Sequence, residues 1–325
     1  MKLIFFLFIS ALSAETIFEY NELDDSLTTS INSDFFSQDK ASYCRDRSNP
    51  SDIIWSEDFS NPILDSQTWS YSVGNAFVSG TTTVYGWGNN EKQYYRDQKY
   101  SETYTNDNLF IEDGFLKIQP MNKKYRSFEY TSARINTNGK KTFSFPSKIT
   151  FCFKVPRGTG LWPAFWLLPT AIQEWPSGGE IDIMEAKGRI TNIVSSALHY
   201  GNSPTDKSFI VREIAVPPSV KFQEKFHSIT LEWRENSLKF FLDNETEPYL
   251  SISPLSSDLV KYQYPFNEKF YLIINLAIGG LFDDNKLDPS ALCSDKECSN
   301  HYNPDSRRFL IDWIEYAHLL SLIHI

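Results

Sequence analysis

The stretch Gly178-Gly179-Glu180-Ile181-Asp182-Ile183-Met184-Glu185-Ala186 holds the densest chemistry of this 325-residue chain. Successive side chains of a β-strand point to opposite faces, so Glu180 and Asp182 share one face, opposite the intervening isoleucine. Strict alternation sends Glu185 to the apolar face, and one extra residue, a β-bulge at Ile183-Met184, returns it to the acidic face. The segment therefore predicts a strand with three carboxylates on one side.

Three carboxylates on one strand face predict a catalytic pair. With the bulge absorbing one step, the two glutamate backbones lie about 13 Å apart at ~3.3 Å per residue. Side chains that lean toward each other reach the roughly 5–5.5 Å carboxyl separation of a retaining glycosidase. Asp182 between them raises the pKa of a neighbouring carboxyl and keeps a general acid protonated. The alternatives are an exposed acidic face, which is unfavourable without a use, and a calcium site, which normally draws more ligands from loops.

Short β segments with turn residues continue on both sides of this strand. Asp113-Gly114 and Glu235-Asn236 each separate two apolar segments and predict hairpins. The runs 270–276 and 309–314 are typical of buried strands. Long amphipathic helices, repeats and internal linkers are absent from the sequence, so we predict one all-β antiparallel sandwich domain over residues 53–319.

The two ends of the chain differ from this domain. Residues 1–14 have a lysine and a short apolar run, which predict a secretory signal peptide and a secreted, soluble protein. Residues 15–52 are polar and predict an extended or poorly ordered lead-in. Residues 320–325 match a translated sequencing-adaptor end, so we predict that they are foreign to the protein; a natural apolar tail is the alternative.

The amino-acid composition disfavours some classes of binding partner. Lys+Arg 31 against Asp+Glu 41 gives a net charge of -10, which disfavours nucleic acid and anionic membranes as partners. The 41% hydrophobic content excludes wholesale disorder. Aromatic residues at 15% supply flat apolar faces for a core or for a site that stacks on such faces.

Four cysteines in an exported protein predict disulfides. Cys293 and Cys298 would close a short loop, and Cys44 and Cys152 remain, but three connectivities are open. A zinc site is disfavoured because no histidine sits at ligand spacing. Asn244-Glu245-Thr246 is a sequon for N-glycosylation in a predicted surface turn.

The bulged Glu-x-Asp-x-x-Glu motif resembles glycoside hydrolase family 16, in its branch of laminarinase-like β-1,3-glucanases and β-glucan recognition proteins. The resemblance covers about Ile53 to His318 and implies a β-jelly-roll sandwich of two antiparallel sheets with a concave substrate cleft. Further matching segments are Gly86–Tyr95, Tyr130–Ile135, Leu161–Pro169, Leu198–Gly201, Phe226–Trp233 and Asn275–Gly280.

The resemblance also assigns roles. Glu180 is the implied nucleophile and Glu185 the implied acid/base, with Asp182 assisting both, and the outcome is retention of anomeric configuration. Indole rings suit stacking on sugars, and an arginine suits hydroxyl groups as a forked donor. The implied substrate-binding residues are Asn89, Arg134, Trp166, Trp175 and His199, the histidine also being expected to contact the acidic cluster.

The function implied is a secreted, monomeric endo-β-1,3-glucanase that cleaves laminarin-type glucan without a required cofactor. The alternatives are a non-catalytic β-glucan recognition protein and a glucan transglycosylase; the presence of both glutamates favours the enzyme. The resemblance also allows a structural calcium near Glu57 or Asp312, as in some relatives. Phe282 stands where laminarinases commonly have tryptophan, which predicts an altered stacking platform.

Overall fold

The computed structural model describes residues 28–31, 36, 40–97, 108–171, 174–256 and 259–319. The predicted signal peptide and the predicted foreign tail lie outside these residues. Strands and short 3₁₀ turns make up the regular structure. In chain order the strands are β1 Thr28–Ser30, β2 Ile53–Glu57, β3 Ser70–Tyr71, β4 Ala76–Ser79, β5 Thr82–Tyr85, β6 Gln93–Tyr95, β7 Leu109–Glu112, β8 Phe115–Ile118, β9 Tyr130–Ser132, β10 Arg134–Asn136, β11 Ser147–Lys154, β12 Leu161–Pro169, β13 Glu180–Glu185, β14 Ile193–Ser203, β15 Asp206–Ala215, β16 His227–Arg234, β17 Ser237–Leu242, β18 Leu250–Ile252, β19 Phe270–Ile278 and β20 Phe309–His318.

Two large sheets form the sandwich. The first has the order β1-β15-β14-β13-β12-β19-β10-β3, and the second has the order β18-β17-β16-β11-β20-β8-β7, with β2 also paired to β20. Neighbouring strands are antiparallel in both sheets except for β1, which runs parallel to β15. The predicted all-β sandwich is confirmed.

Both predicted hairpins are present. Asp113-Gly114 joins β7 to β8, and both turn residues have positive φ, which glycine adopts without a steric cost. Glu235-Asn236 joins β16 to β17, and here only the second turn residue, Asn236, has positive φ, at 59°. Local turn chemistry thus sets the register of these strand pairs.

The core lies between the two sheets. Phe151 of β11 stacks on Phe165 of β12 with ring centroids 3.6 Å apart, which joins the second sheet to the first. Ile181 and Ile183 of β13 are fully buried in the same cluster. The opposite face of the first sheet is thereby left for the polar residues of β13.

The described residues of the lead-in, 28–31, 36 and 40–52, pack against the domain. Strand β1 adds to the edge of the first sheet beside β15. Tyr43 is buried, and its ring stacks on His227 with centroids 5.5 Å apart. Phe36 is buried against the same two rings. Aromatic residues within a polar segment therefore anchor it to the domain.

The disulfides are Cys44–Cys152, which links residues 108 positions apart, and Cys293–Cys298. The structure thus selects one of the three connectivities that the sequence left open. In the part of the chain described, no helix has the length and apolar character needed to cross a membrane.

Candidate active site

Strand β13 lies in the interior of the first sheet and carries the predicted bulge. Asp182 and Glu185 are three residues apart, but their partners on β14, Ala197 and Ser195, are only two apart. The register against β12 shifts at the same place. The extra residue falls at Ile183-Met184, where both side chains are buried in the core. Glu180, Asp182 and Glu185 consequently share one face, which we call the carboxylate face.

The carboxylates are close together and largely shielded from solvent. Asp182 is 4% exposed and Glu185 is 8% exposed. His199 of β14, directly opposite Glu180, places its Nε2 3.2 Å from the Asp182 carboxylate. His199 thus contacts the acidic cluster, and its predicted contact with the substrate stays a prediction. Potential ligand atoms of Glu180, Asp182 and His199 lie within 4.8 Å of one another.

Each glutamate accepts a hydrogen bond from a tryptophan indole. Trp175 Nε1 donates to Glu180 at 2.7 Å, and Trp162 Nε1 donates to Glu185 at 2.9 Å. An N–H donated to a carboxylate stabilises its charged form and fixes its orientation. The two glutamates are therefore held separately, one by a loop residue and the other by a residue of β12.

Burial raises the pKa of all three carboxyl groups. Burial, followed by the charge of Asp182, raises the pKa of Glu180 to about 8, against the effects of His199 and the Trp175 indole. Burial raises the pKa of Asp182 to about 7. Burial and then the Asp182 charge raise the pKa of Glu185 well above its usual range. The cluster therefore retains protons at a pH where isolated carboxyls have lost theirs.

Arg134 lies between two tryptophan rings. Its guanidinium carbon is 4.3 Å from the ring centroid of Trp87 and 4.7 Å from that of Trp166. Its buried Nε has no hydrogen-bond partner among the residues that the structure describes. Trp166 in turn donates from Nε1 to Asn275 at 2.7 Å. A stacked cation with an unused buried donor suits a ligand rich in hydroxyl oxygens.

Asn89 belongs to a buried polar network around Glu91. Asn89 Nδ2 donates to Glu91 at 3.4 Å, Gln93 Nε2 donates at 2.6 Å, and the Tyr95 hydroxyl donates at 3.0 Å. Burial raises the pKa of Glu91 above its usual range, although the positive charge of Arg134 opposes this effect. Asn89 therefore contacts a carboxyl group whose ionisation also depends on the charge of Arg134.

Phe282 does not present an open ring. It is 5% exposed and stacks on Trp162, with centroids 4.8 Å apart and an interplanar angle of 16°. At the position of the predicted altered stacking platform, the structure therefore has a buried phenyl ring that packs against the half-buried indole of Trp162. Trp162 itself remains beside Glu185.

Sequence reasoning assigned no role to Trp162, Glu91 or Asn275. Period-two alternation along β12 puts Trp162 and Trp166 on one face, which is the available signal. Which carboxylate each indole reaches depends on strand register. Glu91 lies within the quoted Gly86–Tyr95 segment, but its role arises from residues that meet only in the fold.

Glu57, one of the two residues considered for a structural calcium, is engaged by two donors of the protein itself. Glu57 accepts hydrogen bonds from the Trp69 indole at 3.1 Å and from the backbone N–H of Phe59 at 3.2 Å. Within the described ranges, the set Glu180, Asp182 and His199 is the single group of three such side chains with ligand atoms in reach of one another. That group coincides with the carboxylate face.

Comparisons of the sequence and of the structure with known proteins agree with one another. The model of glycosyl hydrolases family 16 matches residues 96–288. The chain is 32% identical over 251 residues to glucan endo-1,3-beta-glucosidase A1 of Niallia circulans, covering 72% of this chain but only 35% of that protein's length. It is 32% identical over 249 residues to glucan endo-1,3-beta-glucosidase of Cryptopygus antarcticus, covering 73% of this chain and 84% of that one. Among solved structures, endo-beta-1,3-glucanase from Pyrococcus furiosus aligns with a TM-score of 0.69 at 29% identity, covering 83% and 95% of the two chains.

Proposed function

The chain belongs to glycosyl hydrolases family 16 and is a glycoside hydrolase with the jelly-roll sandwich of that family, and from this premise we propose that it is a secreted, monomeric, retaining endo-β-1,3-glucanase. The observation that carries the proposal is the bulged strand β13. It places Glu180 and Glu185 on one face with Asp182 between them. The names of the relatives support β-1,3-glucan as the substrate class.

In the first step Glu180 attacks the anomeric carbon and forms a glycosyl-enzyme ester. The glycosidic C–O bond breaks, and its electron pair takes up the proton of Glu185 as the leaving sugar departs. Glu185 suits the acid role because burial and Asp182 raise its pKa. Glu180 must react as a carboxylate, and His199 and the Trp175 N–H favour that form against the burial that raises its pKa.

In the second step the ester is hydrolysed. Glu185, now a carboxylate, takes a proton from water, and the resulting oxygen nucleophile attacks the anomeric carbon. The bond to Glu180 breaks, and Glu180 regains its charge. Two displacements at one carbon leave its configuration unchanged.

The carboxylate face also suits a neutral polysaccharide. Trp166, opposite Asp182 in the strand register, offers a ring face beside the forked donor Arg134, and Asn89 offers an amide next to Glu91. The net charge of -10 opposes a polyanion but leaves a neutral glucan unaffected. We therefore retain laminarin-type glucan as the proposed substrate.

The first experiment measures reducing ends released from laminarin by the wild type and by Glu180→Gln. We expect release by the wild type and a loss of at least about 10³-fold in the variant, because the amide cannot form the ester. Glu174→Gln, the same change at an exposed position on the preceding loop, should leave the rate unchanged. Negligible release by every protein would favour the glucan-recognition alternative instead.

A second measurement tests the stereochemistry of the product and whether the sugar is transferred to water or to another sugar. NMR of the earliest products should show the β-anomer before mutarotation, and an initial α-anomer would contradict retention. Longer oligosaccharides formed at high substrate concentration would indicate that a sugar acceptor competes with water. N-terminal sequencing of the exported protein tests the proposed secretion, with a start near residue 14 expected.

A further inference from the structure

We infer that Phe209 is a sugar-stacking platform on the side of the carboxylates opposite to Arg134, so that a bound glucan chain crosses both flanks of β13. The inference rests on the proposed function. We call the residues of β14 and β15 that share the carboxylate face the β15 flank; its members used here are His199, Lys207 and Phe209.

Strand register places Phe209 in line with the nucleophile. Glu180 is opposite His199 of β14, and His199 is opposite Phe209 of β15. Directly opposed residues point to the same face of a sheet. The ring centroids of His199 and Phe209 are 6.0 Å apart. Because adjacent strands are ~4.8 Å apart, the backbone of Phe209 is about 10 Å from that of Glu180, beyond the reacting sugar.

Phe209 is the large apolar side chain that this part of the sheet leaves in solvent. It is 43% exposed, whereas its neighbours Ile210 and Val211 on β15 are buried. A half-exposed phenyl ring costs hydration free energy in the free protein, and a flat apolar partner removes that cost. The apolar face of a glucose ring is such a partner.

Lys207 and Trp175 border the same position. Lys207 lies two residues before Phe209 on β15 and therefore on the same face, and its ammonium is 4.5 Å from the Trp175 ring centroid. Trp175 is also 5.8 Å from the His199 ring and donates to Glu180. The β15 flank is thus continuous with the candidate catalytic group through direct contacts.

The position of β13 within the sheet requires two flanks. Three strands, β14, β15 and β1, lie on one side of it, and β12, β19, β10 and β3 lie on the other. Arg134 and Trp166 occupy the second side. An internal bond of a polymer can lie at Glu180 and Glu185 only if the polymer extends to both sides of β13, and Phe209 is an exposed ring on the first side.

The test uses linear β-1,3-gluco-oligosaccharides of six residues with a label at the reducing end. Phe209→Ala should redistribute the bonds that are cleaved and weaken hexasaccharide binding about tenfold, the change expected for loss of one apolar ring contact. Binding is measured in a Glu185→Gln background to prevent turnover. Phe209→Trp should restore both readouts, and Leu255→Ala, which removes an 86% exposed side chain elsewhere, should alter neither.

The outcomes separate this inference from the proposed function. Cleavage by the wild type with an unchanged bond pattern and affinity in Phe209→Ala would overturn the inference alone. Hexasaccharide binding that Phe209→Ala weakens, without any cleavage by the wild type, would overturn the proposed function alone. Absence of both binding and cleavage by the wild type would overturn both. Unchanged melting temperatures would show that Phe209→Ala acts on the ligand and not on folding.

Discussion

At the scale of single residues, Glu185 is subject to two opposing influences. Burial and the negative charge of Asp182 raise its pKa, and the indole N–H of Trp162 lowers it. In the proposed mechanism only protonated Glu185 donates to the leaving oxygen. Its loss of a proton therefore sets the alkaline limb of the pH profile of kcat/KM.

Trp162→Phe should move that alkaline limb to higher pH. The phenyl ring keeps an aromatic contact with Phe282 but removes the donor that stabilises the charged carboxylate of Glu185, so the pKa rises further. The measurement is kcat/KM against pH on laminarin for variant and wild type. A limb displaced to lower pH would contradict the assignment of the acid.

Asp182→Asn should move the same limb in the opposite direction. Removing the negative charge beside Glu185 makes its ionisation easier, so its pKa falls and activity is lost at lower pH than in the wild type. The residual activity of the variant is followed over the same pH range. An alkaline limb that rises or stays in place would show that Asp182 does not act through its charge.

At the scale of elements, local chemistry made part of the structure predictable. The hairpins at Asp113-Gly114 and Glu235-Asn236 follow from turn residues, and the bulge follows from the third carboxylate. Strand β1 was not predictable, because Thr28–Ser30 is short, polar and paired with a strand far along the chain. Such pairing is a property of the assembled sheet.

The candidate active site likewise has one part that could be predicted from the sequence and one part that could not. Glu180, Asp182 and Glu185 are neighbours on one strand, so their common face could be predicted from alternation. The indole donors could not, since Trp162 and Trp175 reach their carboxylates from another strand and from a loop. Their partners depend on register and loop path, which no local pattern encodes.

At the scale of the whole molecule, the lead-in joins both sheets: β1 adds to the edge of the first sheet, and residues 44–47 attach to the second. Cys44 is bonded to Cys152 of β11, and Arg45 donates to the backbone oxygens of Asp243 and Glu245. Arg47 pairs with Glu315 of β20 at 2.8 Å. Residues 44–47 therefore contribute to stability through the second sheet, whereas the carboxylates lie on the first.

The two disulfides should differ in their effect on stability. Replacing Cys44 and Cys152 by alanine should lower the free energy of unfolding by about 5 kcal/mol, and replacing Cys293 and Cys298 by about 2 kcal/mol, because the longer loop restricts the unfolded chain more. Denaturant titration of both variants gives the comparison. We expect kcat/KM at low temperature to survive the first change. Equal losses of stability would show that loop length does not decide the effect.

The three indole N–H groups of the carboxylate face have a consequence for how ligand binding is driven. Trp162, Trp166 and Trp175 are each already engaged with Glu185, Asn275 or Glu180 in the free protein. Folding has therefore already met the entropic cost of ordering these rings, and a sugar chain finds a preorganised surface. Association should then lose little side-chain entropy from the protein, and the ordering penalty should fall mainly on the flexible glycan.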